Sequence, residues 1–298
     1  RSSDLLALPS VPTDQSYMIE CEIDEPLHTT VAVLQSVVLH STATGERRIR
    51  VITTAVPTTT NLSEVYASAD QLAIAAFMAN KAVEKSLHAR LDDARAMIRT
   101  RIADIFTAYR TTMTNTRGGN AAHLTIASNL SLLPLLALGL LRNRSIRIGA
   151  QIPSDVRAYH QTLLTTLPVQ RLIPFLLPVF YSLHNMPPDA GTIDMSTQCL
   201  IMPPRLNLSS ERFERHGLYL IEDGMSVFLW LGRAAVPALT MDVFGAPDYA
   251  SLQSGPIVLP ELENSMSQRL RAILDRIITL RRGLCLLYTS LSGLARQT

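Results

Sequence analysis

This 298-residue sequence lacks the signatures from which an enzymatic reading usually starts. It contains no G-x-G-x-x-G or phosphate loop, no H-E-x-x-H, no calcium loop and no G-x-S-x-G. Cysteine is sparse: Cys21, Cys199 and Cys285 lie far apart, which excludes a disulfide scaffold and a zinc-ligand spacing and suits a reducing compartment. Neither sign of charge prevails, with a formal net charge of +2, so nothing global draws the chain to nucleic acid. Long apolar runs are also missing. The strongest, Leu130 to Leu141, is interrupted by Ser131, Pro134 and Gly139 and is well short of the roughly 20 residues of a bilayer span. It reads as a buried helix, central in a bundle, within a soluble chain. Glycine and proline are too few for a collagen-like or low-complexity protein. The chain begins Arg1-Ser2-Ser3-Asp4, without an initiator methionine or an apolar leader, and the expectation is a part of something longer. Four Asn-x-Ser sequons, at Asn61, Asn129, Asn143 and Asn207, are read as chance matches.

What is present is apolar material, 47% of the residues, enough for two domains or for one domain and a fragment of another. Residues 1–57 read as strand. Tyr17 to Ile23 alternates, Val31 to His40 is rich in β-branched residues, Thr44-Gly45 makes a turn, and Arg48 to Val56 returns extended. This is too short for a β-sandwich of about 100 residues, so these are the last strands of one.

Residues 58–166 read as an all-α helical bundle. Asn61 with Glu64 is a capping arrangement, after which Val65, Leu72, Ala76 and Val83 recur on one side. Leu91, Ala94, Ile98, Ile102, Ile105, Tyr109 and Met113 step by three or four and mark one buried helical face. Arg117 to Asn120 is a loop, and a further helix starts at Ser154 with Val156, Tyr159, Leu163 and Leu167 inward.

Residues 167–298 are mixed. Pro174, Pro178, Pro187, Pro188, Pro203 and Pro204 cut the first part into short pieces. Asp223-Gly224 then joins Leu218–Glu222 to Val227–Leu231 as a hairpin, Leu262 to Leu280 is amphipathic, and Leu284 to Tyr288 is a buried strand. Strands with one long helix point to a compact α/β layer domain.

Chemistry is hard to assemble from these residues. The seven histidines are scattered, none pairs with another or with cysteine at metal-ligand spacing, and His216 is read as a surface or capping residue. Asp92-Asp93 and Glu261-x-Glu263 are read as acids at helix starts, Trp230 as core, and the arginines of Arg142–Arg147 as complements to a helix end. Arg48 and Arg50 are different in kind. Two apart on a strand, they share a face and offer two rigid donor forks to a carboxylate. A solvated sheet edge guarded by charge is the plain alternative.

Arg1 to Pro9 with Asp14, Gly45 to Val51, Asp70, Leu130–Leu141 with its Pro134, and Met202-Pro203-Pro204-Arg205-Leu206 together resemble the cargo-adaptor subunit of the COPII vesicle coat. Phe228-Leu229-Trp230-Leu231-Gly232 resembles the gelsolin-like domain that closes this family. The resemblance implies a multidomain chain: terminal β-sandwich strands, a helical domain and a gelsolin-like α/β domain. A zinc finger, with its zinc, and a trunk precede Arg1 in the family order, and no cofactor is implied within the present residues. It further implies a non-catalytic adaptor, cytoplasmic and peripheral on the endoplasmic reticulum membrane and the vesicle coat. Such an adaptor pairs with the coat's GTPase-activating subunit and recruits cargo and SNARE tails, with Arg48 and Arg50 matching arginines that read acidic export signals. The runner-up is the GTPase-activating subunit itself. An actin-severing protein stands behind it on the gelsolin-like end alone.

Overall fold

The computed structural model describes residues 5–12, 15–117, 126–149, 151–209, 211, 213–280 and 286–291. Contacts divide the chain into two compact units, Arg1–Val169 and Gln170–Thr298.

The first unit opens with an extended stretch and then a hairpin. Strand β1 (Val31–Ser41) pairs antiparallel with β2 (Arg47–Pro57) in a register that places His40 opposite Arg48 and Val38 opposite Arg50. The turn is tied by Gly45 N–H to Thr42 O at 2.9 Å and Thr42 N–H to Glu46 O at 2.8 Å. Tyr17–Ile23, expected as a strand, is none. Its alternation has no ladder to join; instead Ser16 donates N–H and Oγ–H to Thr166 O, and Glu20 meets Lys81 at 2.7 Å, so the segment lies along helices.

Five helices follow: α1 (Leu62–Ser68), α2 (Gln71–His88), α3 (Leu91–Arg117), α4 (Leu133–Arg142) and α5 (Ser154–Thr166). Asn61 caps α1 through Oδ1 on Ser63 N–H at 3.0 Å, and its side-chain Nδ2 donates to Glu64 Oε1 at 3.2 Å. The stripe expected to run from Val65 to Val83 is broken. α1 stops at Ser68, and Asp70 restarts the chain by accepting from the amides of Leu72 and Ala73 at 2.8 and 3.4 Å. Asn129 donates to the Tyr66 and Ala69 carbonyls at 2.9 and 2.6 Å, which supplies a side-chain donor to the acceptors at the end of α1.

The centre of the bundle is α2 rather than α4. α2 buries Ala75, Ala76, Met78, Ala79, Ala82 and Val83 and touches α3, α4 and α5. Its alanines let neighbouring helices approach closely. α4 buries Leu133, Leu136, Ala137 and Leu140 but leaves Leu132, Leu135 and Leu138 about half exposed, so its uninterrupted apolar sequence overstated its burial. On α5 Leu164 is fully buried; of the residues expected inward, Leu167 at its end is buried, Val156 and Leu163 are half-buried, and Tyr159 is exposed. In α3, Ala94 and Ile98 are fully buried, while Tyr109 meets Tyr66 edge-on at 5.0 Å. The expected loop at 117–120 lies, after Arg117, outside the described residues.

The second unit holds α6 (Val169–Leu176), whose first residue belongs to the other unit, and a five-stranded sheet. Its strands are β3 (Val179–Ser182), β4 (Leu218–Glu222), β5 (Ser226–Leu231), β6 (Gly255–Pro256) and β7 (Leu286–Leu291), in the order β3-β4-β5-β7-β6. Only β5 with β7 is parallel. The β4–β5 turn is held by Asp223 Oδ1, which accepts from Met225 and Ser226 amides at 2.9 and 2.7 Å. Gly224 there has φ +85°, and a Cβ on it would stand 2.8 Å from the α6 backbone, so the turn packs directly on that helix.

One face of the sheet presents Leu218, Leu220, Val227, Leu229 and Leu231 to α7 (Pro237–Phe244) and α8 (Ser265–Leu280), which contribute Val243, Phe244, Leu270, Ile273 and Ile277. Strand alternation sends Phe180, Tyr219 and Trp230 to the other face, where they form an aromatic layer with Phe213 at centroid distances of 4.6 to 5.6 Å. Trp230 is therefore half-buried in that layer rather than enclosed in the core. The architecture is a mixed sheet under two helices, joined in sequence to an α bundle and a two-stranded hairpin. No helix among the described residues is long and apolar enough to cross a membrane.

Candidate binding surface

The hairpin sorts its residues by register. Arg48 and Arg50 share one face with His40, Val38, Ser36, Ile52, Leu34 and Thr54, while Val33, Val37, Leu39, Ile49 and Val51 point to the other together with Arg47, Gln35 and Thr53. Those five apolar side chains are all more than half exposed, an arrangement that a lone two-stranded ribbon cannot bury. The arginine face is mixed, with Leu34 and Ile52 about half exposed beside the two guanidinium groups.

On it, Arg48 forks onto its neighbour: Nε and Nη2 donate to Glu46 Oε2 at 3.1 and 2.5 Å, with the two side chains 62% and 59% exposed. Among the described residues no ion pair holds Arg50. The structure thus places the two arginines side by side on an exposed strand face, with one fork partly occupied by a carboxylate. That occupancy shows what the fork can grip. An incoming carboxylate would meet two cations in solvent, where each contact is weak and screened by salt.

The paired acids and the arginines around the end of α4 serve the fold. Asp92 and Asp93 occupy the first turn of α3, as expected. Glu261 and Glu263 do not start a helix; Asn264 does, accepting from Ser267 N–H at 2.8 Å, and Glu261 pairs with Arg271 at 3.0 Å. Arg142 lies in the last turn of α4. The carbonyls beyond are taken by arginines from elsewhere: Arg95 donates to Leu141 and Ile146, and Arg157 to Arg144, Ser145 and Arg147. Burial pulls the Arg95 pKa below its ordinary value. A cleft beside α2, lined by Met18, Glu20, Phe77 and Lys81, is crossed by the Lys81 ion pairs to Glu20 and Glu84.

Three family models match the chain in succession: the Sec23/Sec24 beta-sandwich domain over residues 1–59, the Sec23/Sec24 helical domain over 70–174 and the gelsolin repeat over 200–274. Among curated relatives, the protein transport protein SEC24 of Chaetomium globosum is 50% identical over 92% of this chain. Those of Pyricularia oryzae and Coccidioides immitis are both 48% identical over 93%. The chain spans 29 to 30% of the length of these relatives. Among solved structures, the crystal structure of the human COPII-coat protein Sec24c superposes with a TM-score of 0.75 at 25% identity, covering 89% of this chain and 33% of that one.

Proposed function

The chain belongs to the Sec23/Sec24 family, and from that premise we propose that the whole protein is a COPII coat adaptor that gathers cargo leaving the endoplasmic reticulum. The observation that carries this reading is the identity of about half the residues, over more than nine-tenths of the chain, to proteins of the SEC24 name. The same matches weigh against the GTPase-activating subunit as an alternative. In the proposal the hairpin is the end of a β-sandwich whose other strands cover its apolar face, which accounts for the exposure of Val33, Val37, Leu39, Ile49 and Val51. The adaptor is cytoplasmic and peripheral on the membrane and coat, pairs with the GTPase-activating subunit, and takes cargo and SNARE tails as ligands. The zinc finger of the family order belongs to the upstream part of the whole protein and enters no step here.

The mechanism is equilibrium recognition, with no bond made or broken. Arg48 and Arg50 donate to an acidic export signal on a cargo tail through charge-assisted hydrogen bonds, and Glu46 gives way at Arg48. Each exposed contact is worth little alone, so retention comes from many adaptors in one coat holding many tails. Titration of fluorescent acidic tail peptides against the full-length protein tests this. The expected result is saturable binding that weakens at least about tenfold in the Arg48→Ala, Arg50→Ala double variant and with rising salt. Equal binding by the folded double variant would place the signal site elsewhere.

A further inference from the structure

His184, Glu214 and His216 lie together at one end of the gelsolin-like sheet, and their ligand atoms are all within 4.8 Å of one another. The fold creates this cluster. His184 follows the end of β3, whereas Glu214 and His216 precede the start of β4, and antiparallel pairing of Ser182 with Tyr219 brings those two ends together. Glu214 Oε2 stands 3.0 Å from His184 Nε2 and 3.0 Å from His216 Nε2.

We propose that this cluster binds a divalent transition-metal ion of the zinc class. Zinc bonds of about 2.0–2.2 Å at tetrahedral angles set ligand atoms roughly 3.3 Å apart, so these two separations need to open by only a few tenths of an ångström. Two imidazoles and one carboxylate suit zinc and its neighbours over calcium or magnesium, which take oxygen ligands. The more buried imidazole also has the outer partner that a metal-ligating histidine needs: His184 Nδ1 is 3.2 Å from Leu218 O and 3.1 Å from Ser182 Oγ. With its proton on Nδ1 and donated to Leu218 O, the ring turns the Nε2 lone pair toward Glu214 and His216. Leu218 N–H, also 3.2 Å from Nδ1, supports the other tautomer, in which Nε2–H donates to Glu214 when no ion is bound.

The loop that carries the other two ligands is held in place. Glu214 N–H donates to Tyr219 Oη at 2.9 Å, and Ala234 N–H to Arg215 O at 2.8 Å. Gly232 lets that contact happen, since a Cβ there would stand 2.1 Å from Arg215 O. His184 is nearly buried, whereas Glu214 and His216 are half and mostly exposed, so the cation would keep an open side for water or a further ligand. Asn185, whose side-chain amide lies 3.1 Å from His184 Nε2, stands at that rim.

The test uses the tag-free 298-residue chain, stripped of metal and checked for folding by circular dichroism. Zn²⁺ is titrated in competition with a chromophoric chelator, and Co²⁺ in parallel by its visible d–d absorption. The chain and a His28→Ala control are expected to take up one equivalent, with Mg²⁺ unable to compete. Affinity is expected to fall at least about tenfold in His216→Ala and in Glu214→Gln, whose exposed positions let the fold persist. Absence of a saturable equivalent in the unaltered chain overturns the proposal. So does an equivalent bound equally by both variants, which would assign the ion to other side chains.

Discussion

Arg48 and Arg50 differ in what already holds them, and that difference sets how a tail would bind. Glu46 occupies one edge of the Arg48 fork, so Arg50 is the natural first contact and Arg48 follows once Glu46 moves. The same logic of local acceptors and donors governs Asp194, where it can be read as a titration. Its carboxylate accepts from the backbone N–H of Ser196 at 2.9 Å, from the Ser196 hydroxyl at 2.8 Å and from the Thr197 hydroxyl at 2.8 Å. These bonds favour the charged form and hold its pKa below the ordinary value of about 3.8. Because the folded value is the lower one, the contribution to stability is complete above 3.8 and is lost as pH falls through the folded value. A carbon-13 carboxyl titration should find the Asp194 midpoint below 3.8, moving up in Ser196→Ala; a midpoint at or above that value in the unaltered chain contradicts the hydrogen-bond account.

At the scale of elements, most of the helices and strands were legible because their physics is local. The stripe from Leu91, the β-branched run from Val31 and the Asp223-Gly224 turn each express a period or a turn chemistry within a few residues. Elements were misjudged where a neighbour decides. Tyr17–Ile23 alternates like a strand yet finds helices beside it, and α4 is apolar on every side yet buries only one. The break at Ala69 was present in the sequence as Asp70, a residue that restarts a helix by capping it. Asp70→Ala should therefore lower stability in urea unfolding by about 1 kcal/mol, with little change in the denaturant slope. An unchanged midpoint would mean that packing around α2 fixes the break without the cap.

For the molecule as a whole, short stretches in a fixed order, from Arg1–Pro9 to Phe228–Gly232, carried the family resemblance, while the candidate sites divide by sequence distance. Arg48 and Arg50 were legible as a pair because strand geometry places residues two apart on one face. The histidine–glutamate cluster was not. Glu214-x-His216 gives a short-range hint, but His184 is 30 residues from Glu214, and only the β3–β4 pairing joins them. Spacing rules describe ligands carried by one element and are silent on ligands gathered from two strand ends. The hairpin makes the complementary point: in the proposed adaptor its exposed apolar residues become one layer of a sandwich that further strands would complete.

The central claim, an adaptor that captures cargo through the arginine face of the hairpin, is tested most directly by a reconstituted budding reaction. Endoplasmic reticulum membranes would be supplied with the other coat components and either the full-length protein or its Arg48→Ala, Arg50→Ala variant. The account predicts that both forms release vesicles in similar number and that cargo with acidic tail signals is depleted at least several-fold from those made with the variant. Equal loading of that cargo with both proteins would contradict it.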